Sequence, residues 1–293
     1  MKTFDLMRRL MAPASPELDV AGKVVLVTGG AEGIGLETAR CLQARGALLA
    51  IVDRNAAATA NAVALLGGRH VLAITADVTD RAAMREAVAQ TLTHYQRLDV
   101  VVANAGITPP PATIRTGNLD DFDRVMAVNL TGVLNTVHPA IEALIQHQGH
   151  IVVVASCAAF CPPVGGVSYM VSKAAVEQLG RGLKLELAPH GVTVTVSYFG
   201  LVDTQLARAT LDDDPMGSDM DQQLPALLRK RISAQQAGEV IANAIKKRAE
   251  HSMAPMAWES MSLLRGLVNP LLDRYLVGDP HIHRMLRELE ARK

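Results

Sequence analysis

Net charge is the first thing this sequence lacks: 29 Lys and Arg residues balance 29 Asp and Glu, with a pI of about 7.1. A neutral chain has no long-range field with which to gather nucleic acid, so small molecules are the expected partners. Cysteine is scarce. Cys41, Cys157 and Cys161 form neither a CxxC pair nor zinc-type spacing, so neither a disulfide framework nor a metal site is expected, and a reducing cytoplasm suits the protein. No run approaches the ~20 consecutive apolar residues of a spanning helix, and repeats and low-complexity tracts are missing as well. The amino terminus has Asp5, Arg8 and Arg9 where a secretory signal needs an apolar core. Its Phe4, Met7, Leu10 and Met11 read as a short packed helix or a frayed tail, ahead of a membrane or partner contact. What remains is 293 residues, 49% of them hydrophobic, enough for one substantial core.

From Lys23 onward, short apolar runs alternate with helical periods. VVLVT (24–28), LLAIVD (48–53), HVLAITADV (70–78), DVVVANAG (99–106), HIVVVAS (150–156) and VTVTVSYFG (192–200) predict six strands. Helices are expected between them, among them one over about 33–46 and one over about 120–136. Continuous Val, Ile and Leu runs suit strands buried on both faces, and the alternation predicts an α/β fold with a doubly wound parallel sheet. Residues 203–233, which hold DDDPMGSDMD, break the pattern and predict a substrate lid, after which Ser233 caps a helix. Further on, Met261, Leu264, Leu267, Val268, Leu271, Leu272 and Tyr275 fall near one stripe that Asn269-Pro270 kinks or splits. That stripe reads first as a helix laid over the core or a subunit neighbour. An apolar wall over the substrate site comes second and a membrane attachment third. HIHRMLRELEARK predicts a charged closing helix.

The first strand runs into a glycine loop, LVTGGAEGIG (26–35), where it meets the first helix. In the pattern Thr28-Gly29-x-x-x-Gly33-x-Gly35, Gly29 permits the turn, Gly33 admits a pyrophosphate to the backbone, and Gly35 lets helix and strand pack closely. Glu32 and Ile34 belong to the same loop, where helix N–H groups and the positive dipole end meet phosphates. Asp53 ends the second strand, where an acid accepts hydrogen bonds from the adenosine ribose. Asp53 and Glu32 would both repel a 2′-phosphate, so NAD is expected over NADP, with Arg54 the one residue arguing the other way. The plainer alternatives are a solvated turn residue for Glu32 and a strand-end cap for Asp53.

In SYMVSKA (168–174), Tyr169 and Lys173 are four residues apart, on one face of a helix. An ammonium beside a phenol lowers its pKa from about 10 toward neutrality and makes it a base for a hydroxyl proton. Alone, such a pair arises by chance in many helices. Ser156 at a strand end and Asn129 at a helix end complete the candidates, and each also reads as an ordinary cap.

Taken together and in order, these residues make the chain resemble the short-chain dehydrogenase/reductase family over roughly residues 20–250. The resemblance implies a Rossmann-type, NAD(P)-dependent oxidoreductase acting on CH–OH groups, assembled as a homodimer or homotetramer on the helices holding Asn129 and Tyr169. It implies a division into an extension (1–19), a dinucleotide-binding catalytic domain (20–250) and a helical extension (251–293). Thr28, Gly29, Gly33 and Gly35 match the family's glycine loop. Asp77 and Val78 match its adenine contact, and Asn104, Ala105 and Gly106 its strand-end turn. Asn129, Ser156, Tyr169 and Lys173 match the catalytic tetrad.

In that mapping Tyr169 takes the alcohol proton as hydride passes to the nicotinamide, and Ser156 holds the substrate oxygen. Lys173 depresses the Tyr pKa and bonds the nicotinamide ribose, while Asn129 positions a water that links Lys173 to solvent. Val202 and Thr204 match contacts to the carboxamide and pyrophosphate. One departure is Phe199-Gly200 where members usually carry Pro-Gly; the ring either loosens the turn or packs on the nicotinamide. Cys157, beside Ser156, reads as a structural thiol. Ile107, Thr108, Pro109–Pro111, Ala158, Ala159, Phe160, Pro162, Pro163 and Val164 are the expected walls. With no Arg or Lys cluster among them, they predict an apolar alcohol or ketone, lipid-like or steroid-like. The alternatives are an NADPH-dependent carbonyl reductase and a catalytically silent NAD-binding protein.

Overall fold

The computed structural model describes residues 16–214, 216 and 225–292. The amino-terminal stretch around residues 4–11, read as a short packed helix or a frayed tail, and part of the expected lid lie outside them. The strands are β1 (Val24–Thr28), β2 (Leu48–Asp53), β3 (Val71–Thr75), β4 (Val100–Ala103), β5 (His150–Val154), β6 (Thr193–Phe199), β7 (Val202–Asp203), β8 (Ile232–Ser233) and β9 (His251–Ala254). Seven of them form one parallel sheet in the order β3-β2-β1-β4-β5-β6-β9, and β7 pairs with β8 separately. Every residue of β1, β4 and β5 is buried, which is why these segments read as unbroken apolar runs.

Helices cover both faces of the sheet. On one side α1 (Gly33–Gln43), α2 (Ala56–Leu65) and α8 (Ala234–Lys247) enclose a core that includes Leu36, Ala62 and Ile241. On the other, α3 (Arg81–Tyr95), α4 (Leu119–Met126), α5 (Gly132–Val137), α6 (Ile141–Gln146) and α7 (Val167–Leu187) enclose a second, with Met84, Val133 and Val176. Ser233 caps α8 through a reciprocal pair with Gln236, as its position suggested. Strand order reverses between β1 and β4, and in doubly wound sheets the ligand crevice opens at that reversal.

All six expected strands are present, some shorter than their apolar runs. The run at 70–78 pairs only over Val71–Thr75 and that at 99–106 only over Val100–Ala103, so Asp77 and Asn104 lie beyond the ladder. The seventh strand, β9, was not expected. His-Ser-Met-Ala is short, sits on the sheet edge and buries only Met253 and Ala254, so it has no continuous apolar signature. It also lies on the far side of the division expected at residue 250.

Two helices follow. In α9 (Ala257–Gly278) the Asn269-Pro270 step does not split the helix; the proline is exposed inside one continuous element. α9 is fastened to α7 by Arg265, whose guanidinium forks onto Glu177 at 2.9 and 2.6 Å, and to the turn after β5 by Asn269 Nδ2, which donates to Phe160 O at 3.1 Å. α10 (Pro280–Ala291) buries Ile282, Met285 and Leu289. Among the described residues, no helix is long and apolar enough to cross a membrane.

Candidate active site

The crevice begins where β1 ends. Thr28 Oγ1 accepts hydrogen bonds from the N–H groups of Asn104 (3.2 Å) and Ala105 (3.3 Å), just past β4. Asn104 Nδ2 donates back to the carbonyls of Thr28 and Gly29, each at 3.1 Å. These four bonds tie the two strand ends on either side of the reversal. Gly29 and Gly33 have φ of +60° and +53°, which favour glycine. A Cβ on Gly35 would stand 2.0 Å from Gly29 O. α1 starts at Gly33, and Glu32, exposed at the cap position, makes no side-chain cap bond. The first-turn N–H groups of Gly33, Ile34 and Gly35 therefore remain available at the positive end of the helix dipole, a cradle for a pyrophosphate.

Asp53, at the end of β2, accepts from Asn55 N at 3.1 Å and Ala31 N at 3.4 Å. Arg54 is exposed and lines, with Asn55, Thr75, Asp77 and Asp80, an open groove beyond β2 and β3. The Asp77 carboxyl is held below its ordinary value chiefly by the N–H of Thr79, 2.8 Å away. Val78 offers its carbonyl to Asn135 Nδ2 at 2.9 Å. Thr204 borders the loop, its Cγ2 3.5 Å from where a Gly33 Cβ would stand, whereas Val202 is directed into the core. An anion cradle, an acid beside it and a groove for a base together fit a dinucleotide.

At the ends of β4 and β5 the other candidates meet. Tyr169 and Lys173 lie one turn apart on α7, and the Tyr169 phenol is hydrogen-bonded to Ser156. Ser156 Oγ also donates to Phe199 O and accepts from Ala158 N, both at 3.2 Å. Lys173 Nζ stands 5.6 Å from the Tyr169 ring centroid and donates to Val154 O at 2.8 Å. Asn129 does not end a helix, contrary to expectation. It lies in a wide π-turn, Ala127–Thr131, between α4 and α5, and is fully buried. Its Oδ1 accepts from Ile107 N at 2.8 Å, while its Nδ2 donates to Ile107 O at 2.9 Å and Ser172 Oγ at 3.0 Å. A Cβ on Gly106 would lie 3.4 Å from Asn129 Oδ1 and 3.5 Å from Lys173 Nζ, so these three groups converge.

The electrostatics differ from the simple phenol–ammonium expectation. Burial pushes the Tyr169 phenol above its ordinary value, with the Ser156 hydrogen bond acting in the opposite sense. Burial also brings the Lys173 ammonium down to about 8. The expected pull of Lys173 is not among the influences on the phenol: desolvation acts on both groups, and the ammonium is committed to the carbonyl of Val154.

Phe199 is only 3% exposed and packs with Val154, Ile232 and Ala254, so its ring is in the core rather than the crevice. Phe160 is no wall either; it lies beneath α9 beside Tyr198 and Trp258. Burial pushes the thiols of Cys157 and Cys161 up, the latter to about 11, in keeping with a structural role.

Two residues had escaped sequence reasoning. Ser172, fully buried, accepts from Asn129 and donates to Tyr169 O at 2.7 Å, holding the π-turn to α7. Asn135 joins the carbonyls of Val78 and Thr79 to Arg81 Nε. The available signal was a polar residue at a core position in an otherwise apolar helix turn. The substrate side is framed by the turns after β4 and β5, joined where Ala112 N donates to Gly165 O at 3.0 Å. α10 braces both, with Leu289 against Gly165 and Glu290 bonded to Thr113 and Arg115. Thr108 and Thr210 share a hydrogen bond of 2.6 Å that joins the β4 turn to the segment after β7.

A family model described as short chain dehydrogenase matches residues 23–215. The chain is similar to secoisolariciresinol dehydrogenase of Forsythia intermedia, at 37% identity over 61% of this chain and 66% of that protein. It is similar to momilactone A synthase of Oryza sativa subsp. japonica, at 33% over 78% and 82%. It is also similar to 3-beta-hydroxysteroid dehydrogenase of Comamonas testosteroni, at 36% over 60% and 68%. Among solved structures it resembles a 3-ketoacyl-(acyl-carrier-protein) reductase from Brucella melitensis complexed with NADH. That match has a TM-score of 0.73 and 25% identity, and covers 80% of this chain and 97% of that one.

Proposed function

Because the chain belongs to the short-chain dehydrogenase/reductase family, whose members are NAD(P)-dependent oxidoreductases acting on CH–OH groups, we propose that it is an NAD-dependent dehydrogenase. It interconverts a hydrophobic secondary alcohol and its ketone with Tyr169 as acid and base. The observation that carries this reading is the convergence of Ser156, Tyr169 and Lys173 at the carboxyl end of β5, beside the glycine cradle.

The nicotinamide, when bound, supplies the hydride acceptor and donor. Ser156 orients the substrate oxygen toward the Tyr169 phenol, which takes or returns the alcohol proton. Lys173 stabilises the phenolate as it forms, and with an ammonium near 8 it is poised to exchange protons close to neutral pH. Asn129, locked by Ile107 and Ser172, keeps Gly106 and Lys173 in register and positions the water expected to lead to solvent. Gly33, Ile34 and Gly35 hold the pyrophosphate, Asp53 the ribose, and Asp77 with Val78 the base.

Asp53 and Glu32 support NAD. Removing the repulsion with Asp53→Ala is expected to narrow the NAD-over-NADP preference in initial rates by about tenfold. An unchanged ratio would assign the preference elsewhere. The apolar turns after β4 and β5 and the resemblance to a hydroxysteroid dehydrogenase support an apolar, steroid-like substrate. A screen of hydrophobic secondary alcohols for NADH production tests it. Tyr169→Phe should lower turnover by about 10²–10⁴-fold while NADH fluorescence still reports binding. Unchanged turnover refutes the assigned base. The three free thiols support a reducing, cytoplasmic setting, and the family resemblance supports a homo-oligomer on α4, α5 and α7.

A further inference from the structure

The outward side of α9 is apolar. Leu263, Leu264, Leu267, Leu271 and Tyr275 are 52–75% exposed and recur at helical spacing along one stripe, which Met256 and Val277 extend at its ends. The opposite side of the same helix is already occupied by Trp258, Arg265 and Asn269. With that side anchored through polar contacts, the apolar stripe is the side left exposed among the described residues. Together these seven side chains present roughly 800 Å², above the few hundred Å² common on monomers and close to what each partner gives a standard interface.

Charge selects the occupant. Arg274 is the one charged residue on the stripe, seven residues past Leu267, and Glu259, whose Oε1 already meets His251 Nε2 at 2.8 Å, flanks the other end on the same side, eight residues before it. A parallel pair would set Arg274 against Arg274. An antiparallel pair about a two-fold at Leu267 sets Leu263 against Leu271 and places each Arg274 alongside the partner's Ser260 and the partner's Glu259. An anionic leaflet would find acids, Glu259 and Asp273, on that same flank. We infer that α9 docks antiparallel on α9 of a second copy of this chain, through Leu267 at the axis. This face is separate from the helices on which the family resemblance places assembly, and the inference does not depend on the proposed chemistry.

Sedimentation of the full chain at micromolar concentration tests it. Leu267→Glu is expected to halve the assembly's mass, with NADH binding and melting temperature retained. Arg274→Glu should weaken self-association on the order of tenfold, and adding Glu259→Arg should restore it. Leu267→Cys should cross-link on oxidation, while Val277→Cys, far from the axis, should not. A monomeric wild type, a mass unchanged by Leu267→Glu, or cross-linking only at 277 overturns the inference. Flotation with phosphatidylcholine–phosphatidylglycerol vesicles that Leu267→Glu abolishes would also overturn it, identifying a leaflet as the occupant.

Discussion

Lys173 is a charged group held at 4% exposure with one carbonyl for company. Its folded-state pKa, about 8, lies below the ordinary 10.5. Below about 8 the ammonium is charged whether the chain is folded or not, and the folded state bears the whole desolvation penalty. Between these two values the unfolded chain binds more protons, so stability rises with pH. Lys173→Met should therefore stabilise the protein near neutral pH by about 1–3 kcal/mol, with the gain fading toward about pH 10, while turnover is lost. A melting series across that range checks it; a gain independent of pH would mean the substitution acts through packing alone. Tyr169, Lys173 and Ser156 were legible because helix pitch and strand ends leave a local signature. The desolvation of Lys173 was not, since it depends on elements far apart in the chain. Ser172 escaped for a similar reason: its hydroxyl has a local partner in Tyr169 O, and its second, Asn129 Nδ2, comes only from the distant π-turn.

The attachment of α9 rests on Arg265 reaching Glu177, a carboxylate whose side chain is only 3% exposed. Arg265→Met would leave that charge buried without its fork and is expected to cost about 3–5 kcal/mol in urea unfolding, whereas adding Glu177→Leu should recover most of the loss. If the double substitution is no more stable than the single one, packing rather than charge holds the helix. At this scale the parallel strands were legible because β1, β4 and β5 are buried on both faces and must be apolar throughout. β9 was not, because an edge strand needs only half its residues inside. Of the kink or split that Asn269-Pro270 signalled, the split does not occur: the proline ring is exposed and α9 runs on through it as one helix. Asn129 looked like a helix end because the helix widens there without stopping.

For the molecule as a whole, the sheet and its crevice followed from the order of apolar runs, but the placement of the last two helices did not. A closing helix was expected from HIHRMLRELEARK; that it would brace the turns after β4 and β5 depends on Leu289 meeting Gly165 and Glu290 meeting Arg115, pairings with no local trace. The seam between β1 and β4 has a kinetic corollary. Thr28 and Asn104 stitch the channel's two banks together in advance, so a dinucleotide has nothing to prise apart as it arrives. In stopped flow, the observed association rate with NADH should climb in proportion to ligand concentration without reaching a plateau. Thr28→Val, which unpicks the stitch, should introduce saturation and a slow second phase.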